Sequence, residues 1–178
     1  MSELEDYIEQ GLGAGCPPEQ IGNFVRAGVV LQPRQLAASA AARFCDRAGG
    51  PTAIGYGGAR GGGKSHWLLA QMGADDCQRA PGLKCLLLRK VGKANTEHFE
   101  ELQRRLFAGL RHEFSAYKSL LRFGNGSQIQ AGHYQAEKDR DSGDSGFRVS
   151  VIVERYSRRG GWSAAAVAGL PCGCWTAE

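Results

Sequence analysis

Eight consecutive residues, Gly58-Ala59-Arg60-Gly61-Gly62-Gly63-Lys64-Ser65, have the types and spacing to bind a triphosphate. They fit the phosphate-loop pattern G-x-x-x-x-G-K-[ST]. Glycines at Gly58, Gly61, Gly62 and Gly63, with the small Ala59, let the backbone turn tightly and aim N–H groups inward. Lys64 is placed to reach the β- and γ-phosphates, and the Ser65 hydroxyl to ligate Mg²⁺. A helix starting here would add its positive end. Arg60 lies inside the loop, where a guanidinium can stabilise charge developing on the γ-phosphate.

Such a loop works only when a strand delivers it and a helix leaves it. Thr52-Ala53-Ile54-Gly55-Tyr56 is a short, mostly apolar run that predicts the strand, and His66 to Met72 predicts the helix. A flexible glycine-rich linker is the competing reading, but linkers rarely run into Gly-Lys-Ser and an amphipathic helix. ATP hydrolysis further needs acidic groups at the end of another strand, one for the Mg²⁺ shell and one to activate water. The β-branched run Val149–Val153 predicts that strand, and Glu154 follows it as a candidate Mg²⁺-shell and catalytic carboxylate. The next residue is Arg155, and a guanidinium does not give up its proton at neutral pH.

The remaining elements follow from local signals. Ser2 and Glu5 form a capping-box pair that predicts a helix over 2–10. Pro17-Pro18 opens a second over 19–26, closed by Gly28, and an alanine-rich helix spans 35–47. Lys84–Arg89 reads as a buried strand, and 95–110 as a helix with Leu102, Leu106 and Leu110 on one face. Gly124-Asn125-Gly126 between 119–123 and 127–131 predicts a β-hairpin. Strands alternating with helices predict an α/β fold.

Several segments together resemble the large subunits of phage terminases, ATP-driven motors that package viral DNA. These are Leu31-Gln32-Pro33-Arg34-Gln35, the loop Tyr56 to His66, Leu87-Leu88-Arg89-Lys90, the hairpin Phe123 to Ile129 and Gly132 to Asp139. The resemblance covers about residues 17–141. It implies a P-loop NTPase core of the additional-strand (ASCE) type, ATP and Mg²⁺ as cofactors, and adenine recognition by the Gln35 amide. It also implies double-stranded viral DNA, the terminase small subunit and the portal protein as partners. Arg155 stands where the family has its second acidic residue, and 156–178 matches no family element. On this reading the chain is an ATP-binding fragment of such a motor, a truncated one with an incomplete sheet and doubtful hydrolysis. Its parts would be accessory helices over 1–30, a partial ATPase domain over 31–155 and an unplaced tail, out of frame or disordered, over 156–178. A small-molecule kinase and a non-catalytic DNA-binding module are the alternatives.

Composition sets the outer bounds. The chain has 178 residues, 42% of them hydrophobic, which suits one domain with a sizeable core. No apolar run approaches the roughly 20 residues of a membrane span, and the acidic N-terminus is unlike a targeting peptide, so a host-cytoplasmic location is expected. Five acidic residues against Arg26 give residues 1–33 a charge of −4, within a net charge of +4 overall. The six cysteines form no C-x-x-C pair, which points to reduced thiols rather than a metal centre.

Overall fold

A computed structural model describes the backbone of residues 2–51, 54–57, 62–89, 92–133, 148–156 and 162–171. The chain opens with α1 (Glu3–Gly13), α2 (Pro18–Ala27) and α3 (Pro33–Cys45). Ser2 caps α1: its hydroxyl accepts from the Glu5 N–H at 3.3 Å, and Glu5 accepts from the Ser2 N–H at 2.7 Å. Pro18 sits in the first turn of α2, where its missing N–H costs no helical bond. Gly28 ends α2 in the left-handed region, at φ 73°.

α1 and α2, expected as accessory helices over 1–30, share one core with the rest of the chain. Tyr7, Ile21, Phe24, Leu31 and Leu36 join the same buried cluster as Trp67, Phe99, Phe107 and Ile129. Gly11 lies so close to Ile21 that a Cβ there would come within 2.7 Å of the Ile21 Cδ1. The Tyr7 hydroxyl donates to the Val29 carbonyl and accepts from the Leu31 N–H.

A continuous helical stretch follows the glycine-rich run: α4 (Lys64–Ala70), a π-helical segment (Gln71–Asp76) and α5 (Cys77–Arg79). It runs seven residues beyond the expected end near Met72. Then come β1 (Lys84–Arg89), α6 (Gly92–Leu106), β2 (His112–Ser115), β3 (Leu120–Phe123), β4 (Gln128–His133), β5 (Arg148–Tyr156) and β6 (Trp162–Pro171). The expected α/β character is therefore present. The strands form one mixed sheet in the order β2-β3-β4-β1-β5-β6. β1 pairs in parallel with β4, Cys85 opposite Ile129, and with β5, Leu88 opposite Val151. The other pairings are antiparallel.

The hairpin turn is tied to the end of the helical stretch. The Asn125 amide donates to the Cys77 carbonyl at 2.6 Å, and the Ser127 hydroxyl to that of Ala80 at 2.8 Å. Gly126 takes φ 85°, a conformation that suits glycine.

Two expectations need correction. Ile54–Gly57 lies outside the sheet, although the apolar run from Thr52 predicted a strand; Thr52 and Ala53 are outside the described residues. The edge of β5 away from β1 is instead paired by β6, so no parallel P-loop strand adjoins it. The second correction concerns the tail, which was expected to be unplaced: residues 162–171 form β6, with Ala164 opposite Glu154. The edge of β5 that an incomplete sheet would leave open is thus covered by the chain's own backbone.

Candidate functional site

Gly63 is the pivot of the phosphate-loop region. It takes φ 70° and ψ 15°, and it is the N-cap of α4. Its carbonyl accepts the first helical bond, from the Trp67 N–H at 2.8 Å. Two independent features favour glycine here. The left-handed backbone disfavours any side chain, and a Cβ would come within 2.5 Å of the Gln35 Nε2. The turn swings Lys64 and Ser65 into the first helical positions, both half-buried, while Gly62 is exposed. The first N–H groups of a helix have no carbonyl one turn back, so this end suits an anion.

Gln35, expected to read adenine, lies against this turn. Its side chain is buried; Nε2 donates to the Gly63 carbonyl at 3.0 Å, and Oε1 accepts from the Gln32 N–H at 2.8 Å. Both ends of the amide are therefore engaged, and adenine recognition would require these bonds to exchange. Pro33 in the first turn of α3 presets the backbone that puts Gln35 on this face.

Two aromatic rings fix the chain on either side of the loop. Tyr56 packs on Trp67 with centroids 4.9 Å apart, and the Trp67 indole donates to the Ser39 hydroxyl at 2.9 Å. Trp67 is fully buried, which pins α4 against α3. Beside Ser65, burial and then the charge of Arg105 lower the pKa of His66, so the imidazole is neutral at pH 7.

Of the remaining site residues, Gly58, Ala59, Arg60 and Gly61 lie outside the described residues. Glu154 and Arg155 lie on β5, their backbones opposite Ala164 and Ser163 of β6. Glu154 is three residues beyond Val151, the last β5 residue paired with β1. It therefore extends past the end of that ladder, on the side where parallel β1 and β4 also end. The side chains of Glu154 and Arg155 are outside the description.

These features fit a triphosphate with its magnesium. A glycine that a Cβ would block, a cation and a hydroxyl stand together at a helix start. Mg²⁺ usually keeps several waters and takes few protein ligands, so Ser65 and the phosphates can hold it. Among the described residues no group of three or more His, Cys, Asp or Glu could hold a metal ion by itself. No family model, curated protein or solved structure matches this chain. No helix among the described residues is long and apolar enough to cross a membrane.

Sequence reasoning missed a second polar cluster on the same helical stretch. Asp75 is fully buried in the π-helical segment. Its Oδ2 accepts from Arg43 Nε at 2.7 Å and from the Gln20 and Gln71 amides, each at 2.9 Å. Its Oδ1 accepts from Arg43 Nη2 at 2.7 Å and Asn23 Nδ2 at 3.0 Å. The two-pronged Arg43 contact gives both charge compensation and fixed geometry. Next to it, Asp76 accepts from Arg79, which also pairs with Asp46. Burial and then the neighbouring Asp75 charge push the Asp76 carboxyl up to about 6, against the pull of Arg79. The available signal was a pair of aspartates directly after the buried run Trp67–Ala74. Their partners on α2 and α3 cannot be read from spacing.

Among the described residues Cys16, Cys45, Cys77 and Cys85 form no disulfide. Cys77 and Cys85 touch at 3.9 Å between the helical stretch and β1. Their contact and burial raise the Cys77 pKa and keep it a thiol.

Proposed function

We propose that this chain binds Mg²⁺-ATP through Gly58–Ser65, as the phosphate-loop region of a motor of the phage terminase large-subunit type. The single observation that carries this reading is the left-handed turn at Gly63, which delivers Lys64 and Ser65 to a helix start. ATP would supply the phosphoanhydride bond. Lys64 would neutralise its β- and γ-phosphates, the loop N–H groups would hold them, and the Ser65 hydroxyl would ligate the magnesium. Gln35 would support the turn from behind and, by exchanging its bonds, could meet adenine. Glu154 is the carboxylate proposed for the magnesium shell. Arg155 cannot accept a proton from water, so the reading assigns nucleotide binding with turnover near background. The partners of such motors (double-stranded viral DNA, the small subunit and the portal protein) belong to this same proposal.

Titration calorimetry with Mg²⁺-ATP tests it, together with a phosphate-release assay. Binding that disappears in Lys64→Ala, with release near background, is the expected result. Rapid hydrolysis would refute the Arg155 argument. Phosphate transfer to a small metabolite would move the chain to the P-loop kinases.

A further inference from the structure

α1 presents an apolar stripe that nothing in the described structure covers. Leu4, Ile8 and Leu12 recur every four residues and are 51%, 38% and 49% exposed. At about 100° per residue they drift only slowly round the helix, so they form one band. Tyr7 and Gly11, on the adjoining face, are buried against the core. The opposite margin of the band carries Glu5 and Glu9, and α1 contains no basic residue. Scattered exposed leucines are ordinary, but three in register on one short helix are a candidate contact surface.

The charge beside the stripe selects its occupant. Two α1 helices from separate copies would bring Glu5 and Glu9 of each against like charges. An anionic lipid surface would meet the same repulsion. We infer that the Leu4–Ile8–Leu12 face docks an amphipathic helix of a partner protein, one with a leucine-type apolar stripe flanked by Lys or Arg. Apolar side chains of such a helix pack between Leu4, Ile8 and Leu12. Its cations face Glu5 and Glu9 and set which partner is accepted. This inference is independent of the nucleotide reading.

The probe is a fluorescent helical peptide of about 18 residues, long enough to populate helix alone. It carries leucines at alternating third and fourth positions and lysines beside them. A second peptide has glutamates in place of the lysines. Anisotropy titrations use the full chain, Leu4→Ser/Ile8→Ser/Leu12→Ser and Glu5→Lys/Glu9→Lys. The substituted side chains are exposed, Glu5 also caps α1 by accepting from the Ser2 N–H, and a thermal melt of each variant verifies the fold. The expected result is binding of the lysine peptide, weakened about tenfold or more in the serine variant. The charge-reversed variant should prefer the glutamate peptide. Equal binding of both peptides, or binding unchanged in the serine variant, overturns the proposal. Concentration-dependent self-association lost in the serine variant also overturns it, in favour of a second copy.

Discussion

The helical stretch from Lys64 to Arg79 carries two polar regions of opposite character. At its start, the left-handed Gly63 turns the backbone into the first helical positions, Lys64 and Ser65. Some eleven residues later, Asp75 is enclosed by five hydrogen bonds from four side chains. The same chemical currency, charge near a helix backbone, is directed outward in one place and closed on itself in the other. A buried carboxylate is tolerable only when its lone pairs are met, and Arg43, Gln20, Gln71 and Asn23 meet them. The Gly63 end is shaped by what a side chain would obstruct. The first region is the one proposed to receive a ligand, and the second holds α2, α3 and the helical stretch in one arrangement.

Breaking the closed region should give the largest loss of stability. Arg43→Ala leaves Asp75 buried beside neutral donors alone, and the expected cost is about 3–5 kcal/mol in urea unfolding. Because the two residues act as a unit, Arg43→Ala/Asp75→Ala should cost clearly less than the sum of the single variants. Additive costs would show that the pair is not coupled.

Asp76 gives a pH-dependent version of the same comparison. Its folded pKa of about 6 lies above the ordinary 3.8, so the folded state holds this proton more tightly. Its contribution is full below pH 3.8 and is lost as pH rises through 6. The loss is at most about 3 kcal/mol, since one pKa unit is about 1.4 kcal/mol. Unfolding measured between pH 4 and pH 7 should show this falling component, and Asp76→Asn should remove it. An unchanged slope in Asp76→Asn would place the effect elsewhere.

The open region responds on a smaller scale. Gly63→Ala combines left-handed strain with the approach to Gln35, and should cost about 1–2 kcal/mol. Removing the obstructing amide in Gly63→Ala/Gln35→Ala relieves the steric part and leaves the backbone part. Lys64→Ala removes a half-buried side chain at the helix start, and its stability cost should be smaller than that of Arg43→Ala. A large loss there would mean that Lys64 is structural.

Much of this was legible where a local cause dominates. Gly124-Asn125-Gly126 can only be a tight turn, and the hairpin follows it. Leu86-Leu87-Leu88, bounded by Pro81-Gly82 and Arg89, fixed β1 to its observed ends. Ser2 with Glu5 announced the start of α1. What escaped the sequence depends on distant neighbours. The π-helical segment has no 3.6-residue signature; Gly73 within it packs under Phe107, where a Cβ would collide. The Arg43–Asp75 pair joins positions 32 residues apart. β2 is short and polar, and it forms because β3 offers its edge. β6 is alanine-rich, a poor strand former by itself, and pairs along β5. At the site, the identity and order of Gly58–Ser65 were plain from the motif. The placement of Gln35 under Gly63 was not, because a glutamine at a helix start gives no sign of what lies opposite.

The direct test of the central claim is titration calorimetry of wild type, Lys64→Ala and Asp76→Asn with Mg²⁺-ATP at pH 7. The account predicts binding in wild type and Asp76→Asn, and none in Lys64→Ala with its melting transition intact. Equal binding by Lys64→Ala, or no binding by a folded wild-type chain, would contradict it.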